Sequence, residues 1–566
     1  MDVYYTYGRD TSHERLENDV VDDFAYPFDA LLAPQPNPVG YDFFSWALDA
    51  VRDPSGNIVC RATLPGPSFD ARAAGCVPLD LFGSGHVSPA ALAYVYRTLH
   101  QDTVDTLQVA AGSIRGDLYE GWGAGPIGAA AGIEYRDDTI NVTHDIADQP
   151  WYFNYFLSYG KDYAGELATT EGFVEVNAPL VKDVPLIDNF VVDGAFRETS
   201  SDETDRVANR ETSHNFGTWK VSVDWDLNPW IRLRGTRSRD VRSPSFYELY
   251  AQTVASGGIF GTVTNPWAAP PFNLNAATVT AGGNPSGLTP EKADTWTAGI
   301  VFTGHDALER FHASADWYQI VIHGAISELS AQGVVNACFS QGRFCNLITG
   351  VPNGTGGFSL IQTVDNFNFN IGSYTTRGID FETEYTLPLS DVSSKLPGSL
   401  NFRAIASYLY NMIIDPGSGL PVYDYAGQSG PTAAFGNFNT SPNWQANAFL
   451  TYANGPFSTT LQFRYVGPGK YLVIEPNSNL PAIAPGDAGY SSTLPNSIND
   501  NHVDSALYVN LSAQYDITQS LQVFGVIDNL FDKAPPIAPG GNGYSTNPVY
   551  FDTLGTVWKI GLRFKY

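Results

Sequence analysis

The sequence has 566 residues and a formal net charge of −28, with 16% charged and 13% aromatic residues. Soluble domains average about 25% charged residues, so the composition argues against an ordinary soluble chain. A nucleic-acid partner is excluded as the default because phosphate backbones require a basic footprint. The 54 Gly and many aromatic residues are typical of strands joined by turns.

The N-terminal segment "MDVYYTYGRD" predicts a strand and lacks the basic start and apolar run of a signal peptide. An insert at about 20–102 follows it. Near the end of this insert, Ser88 to Gln101 predict a short helix, with Ser88 as the N-cap and Pro89 as the first helical residue.

The rest of the chain alternates apolar and polar residues with a period of two, which places each set on one face of a strand. In one example, Trp219, Val221 and Val223 alternate with polar residues. Strands are predicted near 2–18, 103–118, 127–139, 166–181, 187–199, 215–227, 229–239, 292–302, 309–323, 374–387, 399–412, 440–452, 456–467, 503–517, 519–531 and 555–566.

The links between these strands alternate between short and long, with one moderate exception at about 388–398. A soluble β-sandwich also alternates apolar and polar residues, but it has no reason to segregate loop length by end. Outer-membrane barrels have short periplasmic turns and long external loops. We therefore predict an all-β fold, a transmembrane antiparallel β-barrel with about 16 strands and long extracellular loops, forming one domain over residues 1–566.

The C-terminal strand alternates large apolar residues with basic ones and ends on an aromatic residue. Its apolar positions are Trp558, Ile560, Leu562, Phe564 and Tyr566. In lipid every strand edge must be paired, and we predict that this strand carries the signal for assembly into the outer membrane.

The four cysteines form two close pairs, Cys60 with Cys76 and Cys338 with Cys345. Neither pair has the ligand number or spacing of a zinc site. We predict two disulfides in extracellular loops, which require an oxidising compartment. No cofactor is expected, because the Gly-rich match at 123–128 is followed by a strand pattern rather than a helix.

Candidate ligand contacts come from a basic run and from aromatic residues in the long links. Arg232, Arg234 and Arg239 are suited to an anionic solute, although pairing with carboxylates inside the barrel is the favoured alternative. Trp267 and Tyr471 are suited to stacking on a ligand or, alternatively, to packing the loops.

Several segments resemble the TonB-dependent receptors, which import scarce nutrients across the Gram-negative outer membrane. In "VFGVIDNLFDKAPP", residues Asn529, Leu530, Phe531 and Asp532 match the N-L-F-D run of the family. "VRSPSFYELY" and "GNPSGLTPEKADTWTAGI" resemble two further family segments, with Arg242, Ser245, Glu248, Leu249, Asn284, Leu288, Glu291 and Trp296 at matching positions.

The resemblance implies a 22-stranded barrel, an N-terminal plug domain and a segment that binds TonB. No part of this sequence matches the last two, so we expect a chain that is incomplete at its N-terminus. The implied partners are outer-membrane lipid, a small-molecule nutrient and, through the missing N-terminal region, the TonB–ExbB–ExbD complex. The expected location is the outer membrane.

Active uptake of a ferric siderophore or an oligosaccharide is therefore the expected function, without enzymatic activity. A passive porin is the alternative, because 16 strands is a porin number. A barrel-anchored adhesin or enzyme is a third possibility, which would need a domain-sized insert. Only the insert at 20–102 qualifies by length, and it lacks a catalytic set.

Overall fold

The computed structural model describes residues 1–19, 43–83, 85–144, 159–256, 262–268, 274–284, 287–370, 372–417, 421–430, 442–475, 480–538 and 545–564. Within these residues, one sheet contains seventeen strands, of which Tyr423–Asp424 is only two residues long. The other sixteen are β1 (Asp2–Asp19), β2 (Tyr96–Tyr119), β3 (Ile127–His144), β4 (Tyr163–Val184), β5 (Ile187–Asp205), β6 (Arg210–Asn228), β7 (Ile231–Arg242), β8 (Glu291–Thr303), β9 (Phe311–His323), β10 (Ser373–Pro388), β11 (Ser399–Asp415), β12 (Trp444–Asn454), β13 (Phe457–Val466), β14 (Ala506–Asp516), β15 (Leu521–Asp528) and β16 (Val557–Phe564).

These sixteen strands form the wall of the protein. Each pairs with the next one along the chain, so the wall is a continuous antiparallel meander from β1 to β16. All sixteen predicted strands are present, most of them within a few residues of the predicted bounds. The predicted antiparallel barrel architecture is confirmed.

Strands β2 to β6 are longer than predicted at the end that carries the long loops. The predicted link at about 200–214 is wrong, because β5 and β6 continue until Asp205 pairs with Arg210 across a tight turn. The outward positions of the β3, β5 and β6 extensions are polar, for example Asn141 and Asp202. Without an apolar face, the extensions carry no period-two hydrophobic signal.

The helix predicted from Ser88 to Gln101 is confirmed at its start and wrong at its end. α2 spans Pro89–Val95, and the Ser88 Oγ accepts a hydrogen bond from the Ala91 N–H at 3.1 Å, which is an N-cap contact. The chain then enters β2 at Tyr96, and β2 pairs with β1 from Tyr96 to Ser113. The insert is correspondingly shorter than predicted.

The two faces of the wall differ in polarity. On β6 and β8, the outward side chains include Val221, Trp296 and Ile300, which are about half exposed. The inward side chains pair with one another, as Lys559 Nζ does with Asp528 Oδ2 at 2.8 Å. An apolar outer face and a charged inner face are the pattern of a barrel that spans a membrane.

Three inward glycines lie directly opposite an aromatic residue on the next strand: Gly132 opposite Phe173, Gly378 opposite Tyr318, and Gly561 opposite Phe524. In the second pair, a Cβ added to the glycine would lie 2.4 Å from the tyrosine Oη. These glycines therefore leave room for an aromatic ring to lie flat across the neighbouring strand.

The remaining elements lie in the links. The helices are α1 (Phe43–Leu48), α2, α3 (Phe246–Tyr250) and α4 (Ala331–Gln341), with single 3₁₀ turns at Arg61–Thr63, Ala71–Ala73, Asp306–Leu308, Cys345–Leu347 and Leu389–Asp391. Short strands are Ala50–Arg52, Ile58–Cys60, Tyr159–Gly160, Gln252–Ser256, Thr262–Thr264, Leu274–Ala276, Thr278–Gly282, Ile326–Glu328, Ile348–Pro352, Phe358–Asn370, Gly469–Lys470, Ile474–Glu475, Leu480–Pro481 and His502–Val503. Among the described residues, none of the helices has the length and hydropathy needed to cross a bilayer.

Candidate solute-binding face at the long-loop end

Two long links fold into one unit above the wall, which we call the cap. It consists of the described parts of 243–290, between β7 and β8, and of 324–372, between β9 and β10. Strand Thr278–Gly282 from the first link pairs in parallel with Phe358–Asn370 from the second. Strand Tyr159–Gly160, from the link between β3 and β4, adds to the same sheet through Gln252–Ser256. Three separate hairpins therefore hold one another in place.

The cap has a hydrophobic core of its own. Val334 and Val335 of α4 pack against Ile361 and Val364 of the cap sheet, and all four are almost completely buried. The second disulfide, Cys338–Cys345, joins α4 to the turn that follows it, and Cys338 belongs to this core. The predicted pairing of these cysteines is confirmed, as is that of Cys60 with Cys76 in the insert.

An ion-pair network fixes the cap to the wall. Arg242, the last residue of β7, donates two hydrogen bonds to the Glu248 carboxylate at 2.7 and 2.8 Å and one to Glu291 at 2.8 Å. Glu248 also completes a capping box with Ser245 at the start of α3. Burial alone would raise the pKa of the Glu248 carboxyl, but Arg242 and Ser245 hold that pKa below its usual value.

The two central segments of the family resemblance meet at this network. Leu249 packs on Leu288 and Ile326, and the Asn284 N–H donates to the Glu248 carbonyl at 3.1 Å. The matched residues thus share one place in the fold although about 40 positions separate them along the chain. Their role in this structure is to anchor the cap.

The N-L-F-D run also forms a structural junction. Buried Asn529 accepts a hydrogen bond from the Lys533 N–H and donates one to Asp552, each at 2.8 Å. Its carbonyl accepts from the Thr556 hydroxyl just before β16, and Leu530 N–H donates to Val509 on β14. Asp532 accepts from the Thr556 N–H, while Phe531 is exposed. The run ties β15 to both of its neighbours.

The three candidate arginines are all paired with carboxylates. Arg232 binds Asp226, Arg234 binds Asp316 in a two-pronged pair at 2.6 and 2.7 Å, and Arg239 binds Asp294 with two contacts at 2.9 Å. Arg232 and Arg234 point inward, whereas Arg239 points outward because it is separated from them by an odd number of residues. The sequence therefore grouped residues that lie on opposite faces, and their ligand binding stays a prediction.

The two candidate aromatic residues lie in loop packing. Trp267 packs edge-on against Phe339 and Phe358 at the margin of the cap core, with ring centroids 5.3 and 5.5 Å apart. Tyr471 packs beside a second core that includes Val503 and Tyr508. Both side chains therefore pack within the loops, which is the second of the two predicted roles. Stacking on a ligand remains a prediction for each.

Phe339 is a candidate that was not predicted. It follows Cys338 on α4, is about half exposed, and extends the surface of Trp267. The sequence feature that could have identified it is its position between Cys338 and Cys345, because a disulfide that closes a short loop restricts the positions of the side chains within that loop. Together, Trp267 and Phe339 form an aromatic surface on the cap.

A buried polar cluster lies on the inner face of the β5 and β6 extensions. The Glu203 side chain is 2% exposed, and its carboxylate makes no hydrogen bond to any residue that the structure describes. His214 Nε2 is 3.9 Å away. Because burial disfavours the charged form, the pKa of the Glu203 carboxyl is raised to about 7.

The inner wall near the short turns has a polar cavity of about 920 Å³. Its lining includes both signs of charge: Arg115, Asp117, Glu175, Asp193, Lys220 and Asp224. Such a lining suits a water-filled passage rather than a site selective for one charge. Among the residues described here, no group of three or more His, Cys, Asp or Glu is arranged to hold a metal ion.

The predicted assembly signal lies on the outer face of β16. Trp558, Ile560, Leu562 and Phe564 are all exposed on that face, next to the last pairing partner β15. Tyr566 lies outside the described residues. This placement provides the apolar surface that the prediction requires, and the signalling role stays a prediction.

Comparison with known proteins agrees with this architecture. Residues 3–530 match the family described as TonB dependent receptor-like, beta-barrel. A search of curated proteins gives no match. Among solved structures, the chain is similar to the siderophore receptor PirA from Acinetobacter baumannii, with 14% identity, coverage of 83% of this chain and 55% of that one, and a TM-score of 0.49.

Two other solved structures give similar values. The copper transporter OprC is 14% identical, with 85% of this chain and 60% of that one covered and a TM-score of 0.48. The ferripyoverdine receptor of Pseudomonas aeruginosa is 10% identical, with 83% and 49% covered and a TM-score of 0.49. This chain therefore spans about half to three fifths of the length of these structures.

Proposed function

The chain belongs to the TonB-dependent receptor family and is a transmembrane β-barrel of the Gram-negative outer membrane, and from this premise we propose that it serves uptake of a small-molecule nutrient. The solute binds at the cap and passes along the polar inner wall. As the family implies, energy comes from the TonB–ExbB–ExbD complex. The proposed solute classes are ferric siderophores and oligosaccharides.

The observation that carries this proposal is the construction of the cap. Its sheet joins strands from three hairpins, and the Arg242–Glu248–Glu291 network fixes it to the wall. Loops that only border an open channel need no shared core. A preorganised surface, by contrast, lowers the entropy lost when a ligand binds.

The proposed contact surface is formed by Trp267 and Phe339. Ligand sites are lined mainly by apolar and aromatic side chains with a few polar groups, and both proposed solute classes present faces that can lie on an aromatic ring. Trp267 is held by packing, whereas Phe339 is about half exposed and available to a solute. Phe339 should therefore contribute to affinity rather than to stability.

Passive diffusion is a second candidate, favoured by the strand number. The sixteen long strands equal the number in porins that leave an aqueous channel. The cavity on the inner wall carries charges of both signs, as a channel for mixed polar solutes would. On this alternative, the cap would act as a size filter.

Uptake by the native bacterium distinguishes the two candidates. Radiolabelled ferric siderophores and oligosaccharides are supplied to cells with the gene intact, with the gene deleted, and with TonB removed. Active uptake predicts accumulation that needs both the gene and TonB. Accumulation that needs the gene but not TonB would identify a diffusion channel.

The contact surface is tested in the same cells with Phe339→Ser, and Val351→Ser serves as a matched control because it is also an exposed apolar residue of the cap. We expect the first variant to raise the half-saturating solute concentration several-fold and the second to leave it unchanged. Equal uptake by both variants would remove Phe339 from the proposed site.

A further inference from the structure

A basic cluster lies on the outer face of the wall, where the strands meet the long loops. We call it the basic patch; its members are Arg237, Arg239, Lys292 and Arg377. Its orientation follows from Arg237, whose guanidinium lies 4.8 Å from the ring centroid of Trp296 and 5.7 Å from that of Trp219. Both tryptophans belong to the apolar outer face, and every second residue of a strand shares a face.

The strand registers make the patch continuous across β7 to β10. Arg237 lies opposite Trp296 and Arg239 opposite Asp294. On the next pair of strands, Lys292 lies opposite His323 and Trp296 opposite Gln319, which accepts a hydrogen bond from Arg377 Nε at 2.9 Å. Side chains directly opposite each other in a sheet are about 5 Å apart, so the four cations form one surface.

The patch has an excess of positive charge in a chain whose net charge is −28. Asp294 is its one outward carboxylate, and it lies 2.9 Å from Arg239, 3.5 Å from Arg237 and 3.6 Å from His323. Lys292 forms no ion pair with any residue that the structure describes. The outward acids toward the N-terminal side are Glu211, eight positions above Trp219 on β6, and Glu198 on β5, two strands away from β7.

The height of the patch relative to the apolar band is fixed by the strands themselves. Below it, the outward residues of β8 are Trp296, Ala298, Ile300 and Phe302, whereas above it the chain enters the long links of the cap. Tryptophans mark the boundary of the apolar band in membrane barrels. In an outer-membrane barrel the long loops are external, so the patch lies at the level of the outer-leaflet headgroups.

We propose that the basic patch binds a phosphate group on the headgroup of an outer-leaflet lipid. Arginine forms paired, charge-assisted hydrogen bonds with phosphate oxygens, and lysine supplies a further charge. Arg237 is held in place by the two tryptophan rings and by a hydrogen bond from its Nη1 to the Thr295 carbonyl at 3.2 Å, and Lys292 has no ion-pair partner among the described residues. The acyl chains lie along Trp296 and Ile300 below. The lipid is therefore a ligand of the wall, independent of the nutrient bound by the cap.

The test is lipid binding by the protein purified from membranes in a non-ionic detergent. Three probes are compared by native mass spectrometry and fluorescence titration: bis-phosphorylated lipid A, the same lipid with both phosphates removed, and inorganic phosphate as a competitor. We expect the phosphorylated lipid to bind at least about tenfold more tightly than the dephosphorylated one. Millimolar inorganic phosphate should displace little of it, because phosphate alone lacks the acyl contacts.

Variants locate the site. Arg239→Gln combined with Lys292→Gln should weaken binding of the phosphorylated lipid by about tenfold or more. Arg232→Gln is the matched control, since it removes an ion-paired arginine from the inner face of the same strand. It should leave lipid binding unchanged. A folded barrel in each case is verified by heat-modifiable migration on gels.

Asp294→Asn separates binding from structure. It removes the same ion pair as the loss of Arg239 but raises the positive charge, so we expect lipid binding to be retained or tightened. Three results would overturn the proposal: equal binding of phosphorylated and dephosphorylated lipid, no effect of the double variant, or weakening by Asp294→Asn as large as that of the double variant. Efficient displacement by inorganic phosphate would point to a free anion rather than a lipid.

Discussion

The wall and the cap bury their apolar residues in opposite ways. In the cap, Ile361, Val334 and Val335 are fully buried against one another. In the wall, the large apolar side chains point away from the protein, and Ile560 is 83% exposed. The cap is built like a soluble domain, whereas the wall depends on lipid to cover it. A substitution should therefore act on one region through packing and on the other through the membrane.

The largest effect is expected where the wall meets lipid. Replacing Leu562 and Phe564 with Ser removes two of the outward apolar side chains of β16, each worth about 1.5–3 kcal/mol when taken out of water. If β16 carries the assembly signal, the chain should fail to fold into the membrane. Heat-modifiable migration of protein from isolated membranes measures this.

The matched control for β16 is Lys559→Gln, which removes the inward ion pair with Asp528 from the same strand. Exposed ion pairs contribute about 0–1 kcal/mol, so this variant should assemble normally. A double serine variant that migrates as a folded barrel would contradict the assembly role of β16.

The next largest effect separates the cap from the wall. Ile361→Ala removes a fully buried side chain from the cap core, at an expected cost of about 2–5 kcal/mol. Protease sensitivity of residues 324–372 in native membranes should rise, while heat-modifiable migration stays unchanged. Leu360→Ala, at the exposed neighbouring position, is the control. Loss of the folded barrel in the Ile361 variant would mean that cap and wall fold as one unit.

The sequence predicts the wall far better than the cap, for a physical reason. A strand with lipid on one side must alternate, so period two is visible in Trp219, Val221 and Val223 without any alignment. The extended ends of β5 and β6 face water on their outer side and carry no such pattern. The cap sheet joins Thr278–Gly282 to Phe358–Asn370, about 80 residues apart, and no local pattern records a pairing of that range.

The same distinction between local and long-range information explains which parts of the candidate site were predicted from the sequence. Disulfides follow from spacing and compartment, and both predicted pairs are present. The carboxylate partners of Arg234 and Arg239 lie on other strands, so only the register identifies them. The disulfide spacing places Phe339 in a closed loop, but its exposure is visible only in the structure, so the sequence did not single it out.

A pH-dependent effect is expected at the top of the wall. Because burial raises the pKa of Glu203 from 4.5 to about 7, the folded state binds more protons than the unfolded state between these values. The free energy of unfolding should therefore fall as pH rises through this window, by up to about 3 kcal/mol, with the loss complete above pH 7.

Glu203→Gln removes this titration. Urea unfolding of the purified protein should give similar stability for the variant and the wild type at pH 4, and higher stability for the variant at pH 8. Glu211→Gln alters an exposed carboxyl on the facing strand and should leave the pH profile as it is. A Glu203→Gln profile that runs parallel to the wild-type profile would show that Glu203 is ionised normally in the folded protein.

The smallest effect is expected from the cap disulfide, because the loop it closes is short. Cys338 and Cys345 are seven positions apart, and loop-closure entropy then gives roughly 2.5 kcal/mol of stabilisation. Replacing both with Ser should lower the unfolding free energy of the cap by about this amount and leave wall assembly unaffected.

The disulfide of the insert provides the comparison, because Cys60 and Cys76 are 16 positions apart. Replacing both with Ser should lower the unfolding free energy of the insert by slightly more, roughly 3 kcal/mol, and should have no effect on the cap. Limited proteolysis with peptide mapping, with and without reductant, follows the two regions separately. If reductant loosens the wall itself, measured by heat-modifiable migration, the division between a cap held by its own core and a wall held by lipid does not apply to this protein.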